Sequence, residues 1–482
     1  MAVLEGLKPE RVFYYFEKWC QIPHGSGHTE DVRRFLTDFA RDHRLTCRVD
    51  DSDNVLIEKP AAPGYEDAVP VIIQGHTDMV AEKTPQSDHN FEKDGLKLSV
   101  DGDYISAGDT TLGADDGIAV AYALALLEDN SLQHAALEVL LTSNEEVGLL
   151  GAGQFDAATL KGKYLINIDS EEEGYLLSGC AGGVSVKCLI PVRYIEETNG
   201  CYEIHVTGLK GGHSGMEIDK QRANANILIG RVLFTLKQQM PFLVSELEGG
   251  KKHNVIPNEA RALIMADENQ EELLKNSLSD LQKELRSEYA GSDGEITLTV
   301  RKMGYKTEPA LHPVSMEKVL FFLMNQQNGV IHMSGLVPGM PQTSANTAVA
   351  ELTPEMFKVL VSIRSSVESE KHHVMSGTCY LTEFLGGACD FEGEYPAWEY
   401  QEHSPLREIM CRTYEDLFGE KPVVTTVHAG LECGLFKGKN DALDCISFGP
   451  DILDIHSVNE RVSISSVGRM WEYLLHVLKN MK

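Results

Sequence analysis

Five short segments that are rich in histidine and acidic residues limit what this chain can fold into. Imidazole nitrogens and carboxylate oxygens are suitable ligands for zinc, cobalt or manganese, and catalytic metal sites keep an open position for water. Two ions roughly 3.5–4 Å apart need a ligand that bridges them, and an aspartate in a tight, glycine-bounded turn suits that role. The segments therefore predict ligands for two divalent ions and one spare carboxylate. In chain order they are Gly75-His76-Thr77-Asp78, Gly113-Ala114-Asp115-Asp116-Gly117, Asn144-Glu145-Glu146-Val147-Gly148, Asn167-Ile168-Asp169-Ser170 and Asp454-Ile455-His456-Ser457.

Short apolar runs precede three of these segments and predict buried strands. The runs cover residues 69–74, 137–142 and 164–168, and continuous apolar runs of this length are typical of strands in a parallel sheet. His76 and Asp78 are two residues apart, so both project from one side of an extended chain. We expect the ligands to gather at one edge of the sheet, where open α/β folds place their sites.

The five segments, in this order, resemble those of the aminoacyl-histidine dipeptidases, also called peptidase D, Xaa-His dipeptidases or carnosinases. These enzymes belong to a larger group of two-metal peptidases and aminoacylases that includes carboxypeptidase G and dipeptidase V. The resemblance extends from Ile22-Pro23 to the segment around His456. It implies an α/β fold in which a mixed, mainly parallel sheet flanked by helices forms the catalytic domain and an inserted α+β domain forms a lid.

By this resemblance, two sets of metal ligands share one aspartate. His76 and Asp169 would bind one ion, and Glu146 and His456 would bind the other. Asp115 would bridge the two ions.

Three further acidic residues have roles that the resemblance implies. Glu145 would be the general base, and Asp78 would orient His76, since a ligating histidine usually donates its second ring nitrogen to an acceptor. Asp116 would shape the turn after Asp115, and the peptide bond between these two residues would be cis. A lone histidine or a Glu-Glu pair is more often structural, so the functional interpretation depends on the ordered set.

The acidic composition excludes several classes of protein. The formal net charge is -30, whereas nucleic-acid binding normally depends on basic patches, and an anionic membrane surface is equally disfavoured.

The ten cysteines include no Cys-x-x-Cys pair, which fits reduced thiols in the cytoplasm better than a secreted disulfide scaffold. The N-terminus lacks a signal-peptide pattern, and the longest apolar stretch, residues 118–127, predicts a buried helix because it is too short to span a bilayer. We expect a cytoplasmic protein that binds neither nucleic acid nor membrane.

The positions of the segments predict an inserted domain. Four segments precede or reach residue 170 and the fifth lies near the end, so the chain must leave the metal domain and return. We expect residues 1–186 and 397–482 to form the metal domain and residues 187–396 to form the lid.

The lid is longer than one small α+β layer of about 100 residues, and its element order predicts a doubled α+β unit. The predicted strands are 202–206, 260–266, 296–300 and 359–363, and the predicted helices are 223–239, 270–289 and 315–328.

Four residues match positions that contact the substrate in the resembled family. His213 would stabilise the oxyanion at the scissile carbonyl, or else only pin a glycine turn. Asn254 and Arg364 would contact the substrate, and an arginine fork can pair bidentately with the free carboxylate of a dipeptide; the alternative for Arg364 is a surface residue at a strand end. Glu432 would pair with the free α-amino group of the substrate or serve as a structural carboxylate.

These expectations combine into metal-assisted amide hydrolysis. Glu145 would take a proton from a water held between the ions and return it to the leaving amine, while the ions and His213 stabilise the oxyanion. The expected substrates are dipeptides, including Xaa-His and carnosine-type dipeptides, and the expected metal is zinc, with cobalt or manganese as alternatives. The resemblance also implies a homodimer; the alternative is that a doubled lid replaces a partner's lid within one chain. An aminoacylase or amidase acting on N-acyl amino acids, a carboxypeptidase acting on longer peptides and a catalytically silent metal-binding protein stay open as alternatives.

Overall fold

The computed structural model describes residues 3–482, and these residues form two compact units. The first unit comprises the chain up to Cys180 together with Trp398–Thr426 and Leu431–Lys482. The second unit comprises Ala181–Ala397 and Val427–Gly430.

The junction between the units differs from the expected bounds of 187 and 396. A boundary at residue 187 falls inside the strand Gly182–Pro191, which pairs along its whole length with Met356–Ser365 in the second unit. A strand cannot be divided between two cores, so the second unit begins earlier, at Ala181. The short return at Val427–Gly430 was not expected, because four residues carry no periodic pattern.

An eight-stranded sheet organises the described part of the first unit. Its four central strands are parallel to one another, and antiparallel pairs extend the sheet on both sides. The sheet is therefore mixed with a parallel centre, as predicted. In order across the sheet, the strands are Thr46–Val49, Val55–Lys59, Leu137–Thr142, Val71–His76, Tyr164–Asn167, Asp444–Ser447, Tyr175–Cys180 and Val423–Val427.

The central strands are buried on both faces. Every residue of Val71–His76 and of Leu137–Thr142 is buried, which confirms what their continuous apolar sequences predict. The helices of this unit are Glu10–Trp19, Thr29–Asp42, Ala114–Glu128, Leu150–Gln154, Pro405–Phe418, Glu432–Lys439 and Ile464–Asn480, with a 3-10 turn at Ala157–Thr159.

The helix Ala114–Glu128 leads out of the second ligand segment. It is apolar on all sides and buried from Ala114 to Leu127, so it confirms the buried helix that residues 118–127 predict. Gly113 precedes it with φ of 66°, and Asp115 and Asp116 have non-helical backbone angles. The segment therefore forms a sharp turn before the regular helix begins.

A small four-stranded sheet brings the last ligand segment back to the first part of the chain. The hairpin Ile452–Leu453 and Arg461–Ser463 contains His456 in its loop, and its second strand pairs with Tyr104–Ser106. The strand Ser99–Asp101 completes this sheet.

The second unit contains one antiparallel sheet built from two copies of the same topology. The first copy follows the order strand, helix, strand, strand, helix, strand, which is a recurring α+β motif. The second copy has the same order, with Gly182–Pro191 as its first strand, and the first copy is inserted after that strand. The copies join through the strands Phe242–Gly249 and Pro341–Leu352, which pair over two residues each. This repetition confirms the doubled α+β unit. Across the described part of this sheet the strands are Thr297–Leu311, Tyr194–Thr207, Ala260–Ala266, Phe242–Gly249, Pro341–Leu352, Met356–Ser365, Gly182–Pro191 and Ala388–Tyr395, with Gly329–Met333 paired to Pro341–Leu352.

The elements predicted in the second unit are present with small shifts. The helices are Ala225–Lys237, Glu271–Glu288, Pro313–Asn325 and Glu368–Phe384, with 3-10 turns at Ile218–Lys220 and Glu268–Gln270. The strands predicted at 296–300 and 359–363 continue as Thr297–Leu311 and Met356–Ser365, because polar residues on their outer face extend them. Two short strands, Gly212–His213 and Val255–Ile256, form a separate ladder.

None of the helices within residues 3–482 combines the length and the apolar composition that a bilayer-spanning helix needs.

The second unit allows a test of its helix packing with two glycines. A Cβ at Gly230, on the helix Ala225–Lys237, would lie 2.5 Å from the Cβ of Leu323, whereas a Cβ at Gly377, on Glu368–Phe384, would meet no atom within 4 Å. We expect Gly230→Ala to lower the free energy of unfolding by about 1–3 kcal/mol, because it overpacks the contact between two helices. The control Gly377→Ala should raise it by about 0.5–1 kcal/mol, because alanine loses less backbone entropy. Urea unfolding followed by circular dichroism measures both, and equal changes would refute the close helix contact.

Candidate metal centre

The predicted metal ligands meet at the carboxyl ends of neighbouring parallel strands in the first unit. His76 is the last residue of Val71–His76, Glu146 follows Leu137–Thr142, and Asp169 follows Tyr164–Asn167. Because these strands run parallel and side by side, their ends bring the three ligands to one edge of the sheet.

The carboxylate of Asp115 faces two histidines, one with each oxygen. Its Oδ1 lies 3.0 Å from Nε2 of His76, and its Oδ2 lies 3.1 Å from Nε2 of His456. Nε2 of His76 also lies 3.5 Å from Oδ1 of Asp169, and Nε2 of His456 lies 3.0 Å from Oε1 of Glu146. Asp115 thus contacts two groups of possible ligands, His76 with Asp169 and His456 with Glu146. Asp116 and Glu145 also offer ligand atoms close to His76.

The distances between donor atoms fit metal ligation. Two ligands about 2.0–2.1 Å from a tetrahedral ion are separated by roughly 3.3 Å. The histidine nitrogens and carboxylate oxygens of both groups are 3.0–3.5 Å apart. A divalent ion can therefore replace each close contact without a large movement of the chain.

The electrostatics of both groups favour positive charge. Hydrogen bonds to Asp115 and Glu146 raise the pKa of His456 to about 11. Burial alone would lower the pKa of His76, but the nearby carboxylates of Asp169 and Asp115 raise it well above its usual value. Carboxylates outnumber histidines here, so cations neutralise a buried negative charge, and binding of metal ions should release protons.

Asp78 contacts both His76 and the loop that carries Glu145 and Glu146. Its carboxylate accepts hydrogen bonds from the backbone N–H groups of Glu145 and Glu146 and from the hydroxyl of Ser26. Nδ1 of His76 lies 3.0 Å from the backbone carbonyl oxygen of Asp78 and 3.6 Å from its carboxylate. Asp78 therefore contacts His76 through its main chain more closely than through its side chain.

Asp116 and Gly75 explain the tight packing around His76. The carboxylate of Asp116 accepts a hydrogen bond from the backbone N–H of His76 at 3.0 Å. A Cβ at Gly75 would lie 2.5 Å from this carboxylate and 2.5 Å from the Cβ of Ala119, so only glycine fits before His76. The peptide bond between Asp115 and Asp116 is cis.

Glu145 lies next to the two groups of possible ligands. Its carboxylate lies within reach of His76 and Glu146. Burial and the negative charges of Asp169 and Glu432 raise its pKa well above the usual value, although His76 opposes this. A carboxylate with a raised pKa accepts a proton readily near neutral pH, as a general base must.

Glu460 holds the turn that carries Asp115, and no motif in the sequence predicts this role. Its buried carboxylate accepts hydrogen bonds from the backbone N–H groups of Leu112, Gly113, Ala114 and Asp115, at 2.7–3.5 Å. Its proximity to His456 in the chain was the only available signal, and that signal does not distinguish it from a surface acid.

Left-handed backbone conformations occur at the loops that present the ligands. Asn144, Asp454 and His456 have φ of 53°, 55° and 57°, which is uncommon for residues other than glycine. An ion pair of 2.7 Å between Arg461 and Asp454 holds the loop around His456. Such strained residues concentrate at functional sites.

Glu432 lies beneath the metal centre in a buried polar network. Its carboxylate is inaccessible to solvent and accepts hydrogen bonds from Gln74 and Thr142 on neighbouring strands. Gln74 accepts a hydrogen bond from Asn167, whose side-chain oxygen accepts one from the backbone N–H of Asp169. Burial raises the pKa of Glu432 to about 7. Both hydrogen bonds end on Oε2, and Oε1 has no hydrogen-bond partner within residues 3–482. The Oε2 contacts support a structural role for this carboxylate.

The other predicted substrate residues belong to the second unit. Nδ1 of His213 accepts hydrogen bonds from the backbone N–H groups of Gly215 and Met216, which requires the proton of the neutral ring to be on Nε2. Burial and the charge of Arg364 lower the pKa of His213. His213 is therefore a neutral hydrogen-bond donor through Nε2, and Asn254 is adjacent to it because Ser214 donates to the Asn254 carbonyl.

Arg364 is buried in the second unit with an incomplete set of partners. It is 9% exposed, and Nη1 donates to the hydroxyl of Tyr395 at 2.9 Å. Its Nε has no hydrogen-bond partner within residues 3–482. A Cβ at Gly215 would lie 3.2 Å from this Nε and 2.7 Å from the carbonyl oxygen of His428, so glycine leaves room for the guanidinium.

Comparison with known proteins gives a family match and two full-length relatives. A family model described as peptidase family M20/M25/M40 matches residues 72–480. The cytosol non-specific dipeptidase of Escherichia coli K12 is 36% identical over 483 residues, which covers 100% of this chain and 99% of that protein. The crystal structure of aminoacylhistidine dipeptidase from Vibrio alginolyticus is 34% identical with a TM-score of 0.92, and the match covers 99% of this chain and 97% of that chain.

A more distant structure shares the fold alone. Aminopeptidase PepT from Bacillus cereus is 15% identical with a TM-score of 0.56, over 98% of this chain and 99% of that chain. The close relatives confirm the resemblance inferred from the five segments and the expected α/β fold.

Measurement of the metal content distinguishes a residue that bridges the ions, as expected of Asp115, from the expected general base, Glu145. We expect Asp115→Ala to retain fewer than two zinc ions per chain after loading and desalting, because both donor groups lose a shared ligand. Glu145→Ala should retain two, because Glu145 lies outside the bridged set. Elemental analysis measures both, and a fully metallated Asp115→Ala protein would exclude Asp115 as the bridge.

Glu460→Gln tests the support of the turn. The amide offers one acceptor oxygen to four N–H donors and directs an NH2 group at some of them, so Asp115 should be less well positioned. We expect zinc affinity to fall by about 10- to 100-fold, the usual effect of losing a residue that orients ligands. Chelator competition measures the affinity, with Glu472→Gln, an exposed position on the last helix, as the control. Equal affinities in both variants would contradict this role for Glu460.

Proposed function

Because the chain belongs to peptidase family M20/M25/M40, we propose that it is a metal-dependent dipeptidase, which uses water to cleave the peptide bond of dipeptides. The observation that carries the proposal is the Asp115 carboxylate, whose two oxygens face separate histidine and acid pairs. The names of the two full-length relatives, a cytosol non-specific dipeptidase and an aminoacylhistidine dipeptidase, support the same reaction.

The ligands proposed for two divalent ions are those that meet around Asp115. His76 and Asp169 would hold one ion and Glu146 and His456 the other, with zinc as the first choice and cobalt or manganese as alternatives. Such a pair of ions supplies Lewis acidity at the substrate carbonyl and lowers the pKa of water.

Glu145 is the proposed general base. Its carboxylate would take the proton from the attacking water and return it to the leaving amine. Asp78 holds the backbone of Glu145 and contacts His76, so it positions the base relative to the first ligand group.

Three residues of the second unit are the proposed substrate contacts. His213 donates from Nε2 to the developing oxyanion, a role that suits a neutral imidazole whose Nδ1 is already occupied. Arg364 pairs with the free carboxylate of the dipeptide, and its unpartnered Nε supports this assignment. Asn254 is proposed as a neighbouring polar contact. Glu432 is proposed as the structural carboxylate that supports Gln74 and Asp169.

The finer features of the proposal concern substrate range, assembly and location. Dipeptides ending in histidine, including carnosine-type substrates, are the proposed preference, in keeping with the aminoacylhistidine dipeptidase relative. A cytoplasmic location agrees with the name of the Escherichia coli relative and with free thiols at every described cysteine. The proposed homodimer can be tested by sedimentation equilibrium.

A substrate panel tests the proposed reaction. Metal-stripped protein is refilled with zinc, cobalt or manganese and assayed with β-Ala-His, Gly-His, Ala-Leu, N-acetyl-His and a tripeptide, with metal-loaded Glu145→Ala as the inactive control. Metal-dependent cleavage of the free-amine dipeptides alone supports the proposal, and their relative rates measure the preference for histidine. Cleavage of N-acetyl-His would indicate an aminoacylase, and no turnover with two ions bound would indicate a metal-binding protein.

Arg364→Ala tests recognition of the substrate carboxylate. We expect kcat/KM for dipeptides to fall by about 10- to 100-fold, because a charge-assisted hydrogen bond contributes about 1.5–3 kcal/mol. Dipeptide amides should be affected little, since they lack the carboxylate. Arg301→Ala, at an exposed arginine of the same unit, is the control. If Arg364→Ala discriminates between free and amidated dipeptides as well as the unmodified protein does, carboxylate recognition by Arg364 is excluded.

A further inference from the structure

Three cysteines that the proposed function does not use meet in the second unit. Cys188 lies on the strand Gly182–Pro191 and Cys389 on the edge strand Ala388–Tyr395, and the antiparallel register places them directly opposite each other. Cys379 lies on the helix Glu368–Phe384, which packs against both strands. Cys389 thus has one cysteine directly opposite it on the neighbouring strand, and another on the helix that packs against both strands.

The spacing of Cys188 and Cys389 suits a disulfide. Directly opposite residues of an antiparallel pair have Cα atoms about 4.5 or 5.5 Å apart. A disulfide requires Cα atoms about 4.4–6.8 Å apart. These two sulfurs can therefore be joined with little movement of either strand.

The three thiols differ in accessibility and acidity. Cys188 is inaccessible to solvent, whereas Cys389 is half-buried. Hydrogen bonds from Cys188, Thr382 and Cys379 lower the pKa of Cys389 to about 6, against the effect of burial. An accessible thiol that ionises readily next to a second cysteine is the environment of a redox-sensitive cysteine.

A second group of cysteines, in the first unit, lacks these properties. Cys180 and Cys433 are inaccessible to solvent. Burial raises the pKa of Cys180 to about 11 and that of Cys433 well above the usual value. Neither of these thiols can meet an oxidant from solution, whereas the cluster in the second unit contains a half-buried cysteine, Cys389.

We propose that Cys389 is a site of reversible oxidation by hydroperoxides, and that the product is a disulfide between Cys389 and Cys188. Cys389 meets the oxidant because it is the accessible member of the pair. Cys188 is the resolving residue because it lies directly opposite. Cys379 supports the Cys389 thiolate as a hydrogen-bond donor.

The reaction proceeds in two balanced steps. The Cys389 thiolate attacks the hydroperoxide, a sulfur–oxygen bond forms, the oxygen–oxygen bond breaks, and the leaving oxygen takes up a proton as an alcohol or water. The Cys188 sulfur then attacks the resulting sulfenic acid, a disulfide bond forms, and the hydroxyl group leaves as water with the Cys188 proton. Two thiols are oxidised by two electrons and one hydroperoxide is reduced by two.

The edge position of Cys389 gives the disulfide a structural effect. The strand Ala388–Tyr395 is mostly exposed and pairs with Gly182–Pro191 on one side. The bond would fix this edge strand to its neighbour covalently.

Thiol counting tests the oxidation. Full-length zinc-loaded protein is treated with hydrogen peroxide, blocked by alkylation, denatured and titrated for thiols with and without dithiothreitol. We expect the count to fall from ten to eight and to recover fully on reduction. An unchanged count, or a loss that dithiothreitol does not reverse, would overturn the proposal.

Peptide mapping tests the pairing. Trypsin should release residues 188–193 linked to residues 372–407, and further cleavage after Glu383 separates Cys379 from Cys389. We expect the Cys188–Cys389 linkage in the unmodified protein, in C379S and in the matched control C411S, which alters a half-buried cysteine of the first unit. The linkage should be absent in C389S. A Cys379–Cys389 linkage, or loss of all linkage in C379S, would contradict the pairing.

Discussion

The carboxylate of Asp115 can serve two ions only if its backbone is held between two histidines that come from opposite ends of the chain. The chain meets this requirement with one short turn, whose backbone N–H groups all donate hydrogen bonds to the same carboxylate. Four successive N–H groups point to the carboxylate of Glu460, and that residue lies four positions after His456. The hairpin that brings His456 to the site therefore also fixes the turn that carries its partner. The contacts of Glu460 therefore hold the segment of Asp115 and the segment of His456 together.

The remaining buried polar groups of the first unit are arranged around this turn. Asp78 holds the loop of the two glutamates, Asp116 holds the backbone of His76, and Glu432 supports the strand ends through Gln74. Buried carboxylates are costly unless they are hydrogen-bonded or paired with cations. Backbone N–H groups stabilise some of them, and the remainder surround the positions proposed for the metal ions. The carboxylates without backbone partners therefore support the proposed binding of cations at this centre.

The sequence predicted most of the elements and the segments that meet around Asp115, but not the other contacts between distant segments. Continuous apolar runs identified Val71–His76 and Leu137–Thr142, and the order of strands and helices identified the doubled unit, because both depend on local periodicity. Glu460 and the network beneath Glu432 depend on pairings between residues far apart in the chain. The domain boundary at 187 was misplaced for the same reason, since the strand Gly182–Pro191 is assigned to its sheet by a partner near residue 360.

Anomalous diffraction from zinc-loaded crystals tests the central claim of a bridged pair of ions most directly. The account predicts two zinc peaks on either side of the Asp115 carboxylate, one in contact with His76 and Asp169 and the other with Glu146 and His456. Their separation should be roughly 3.5–4 Å. A single peak, or two peaks that do not share Asp115, would contradict it.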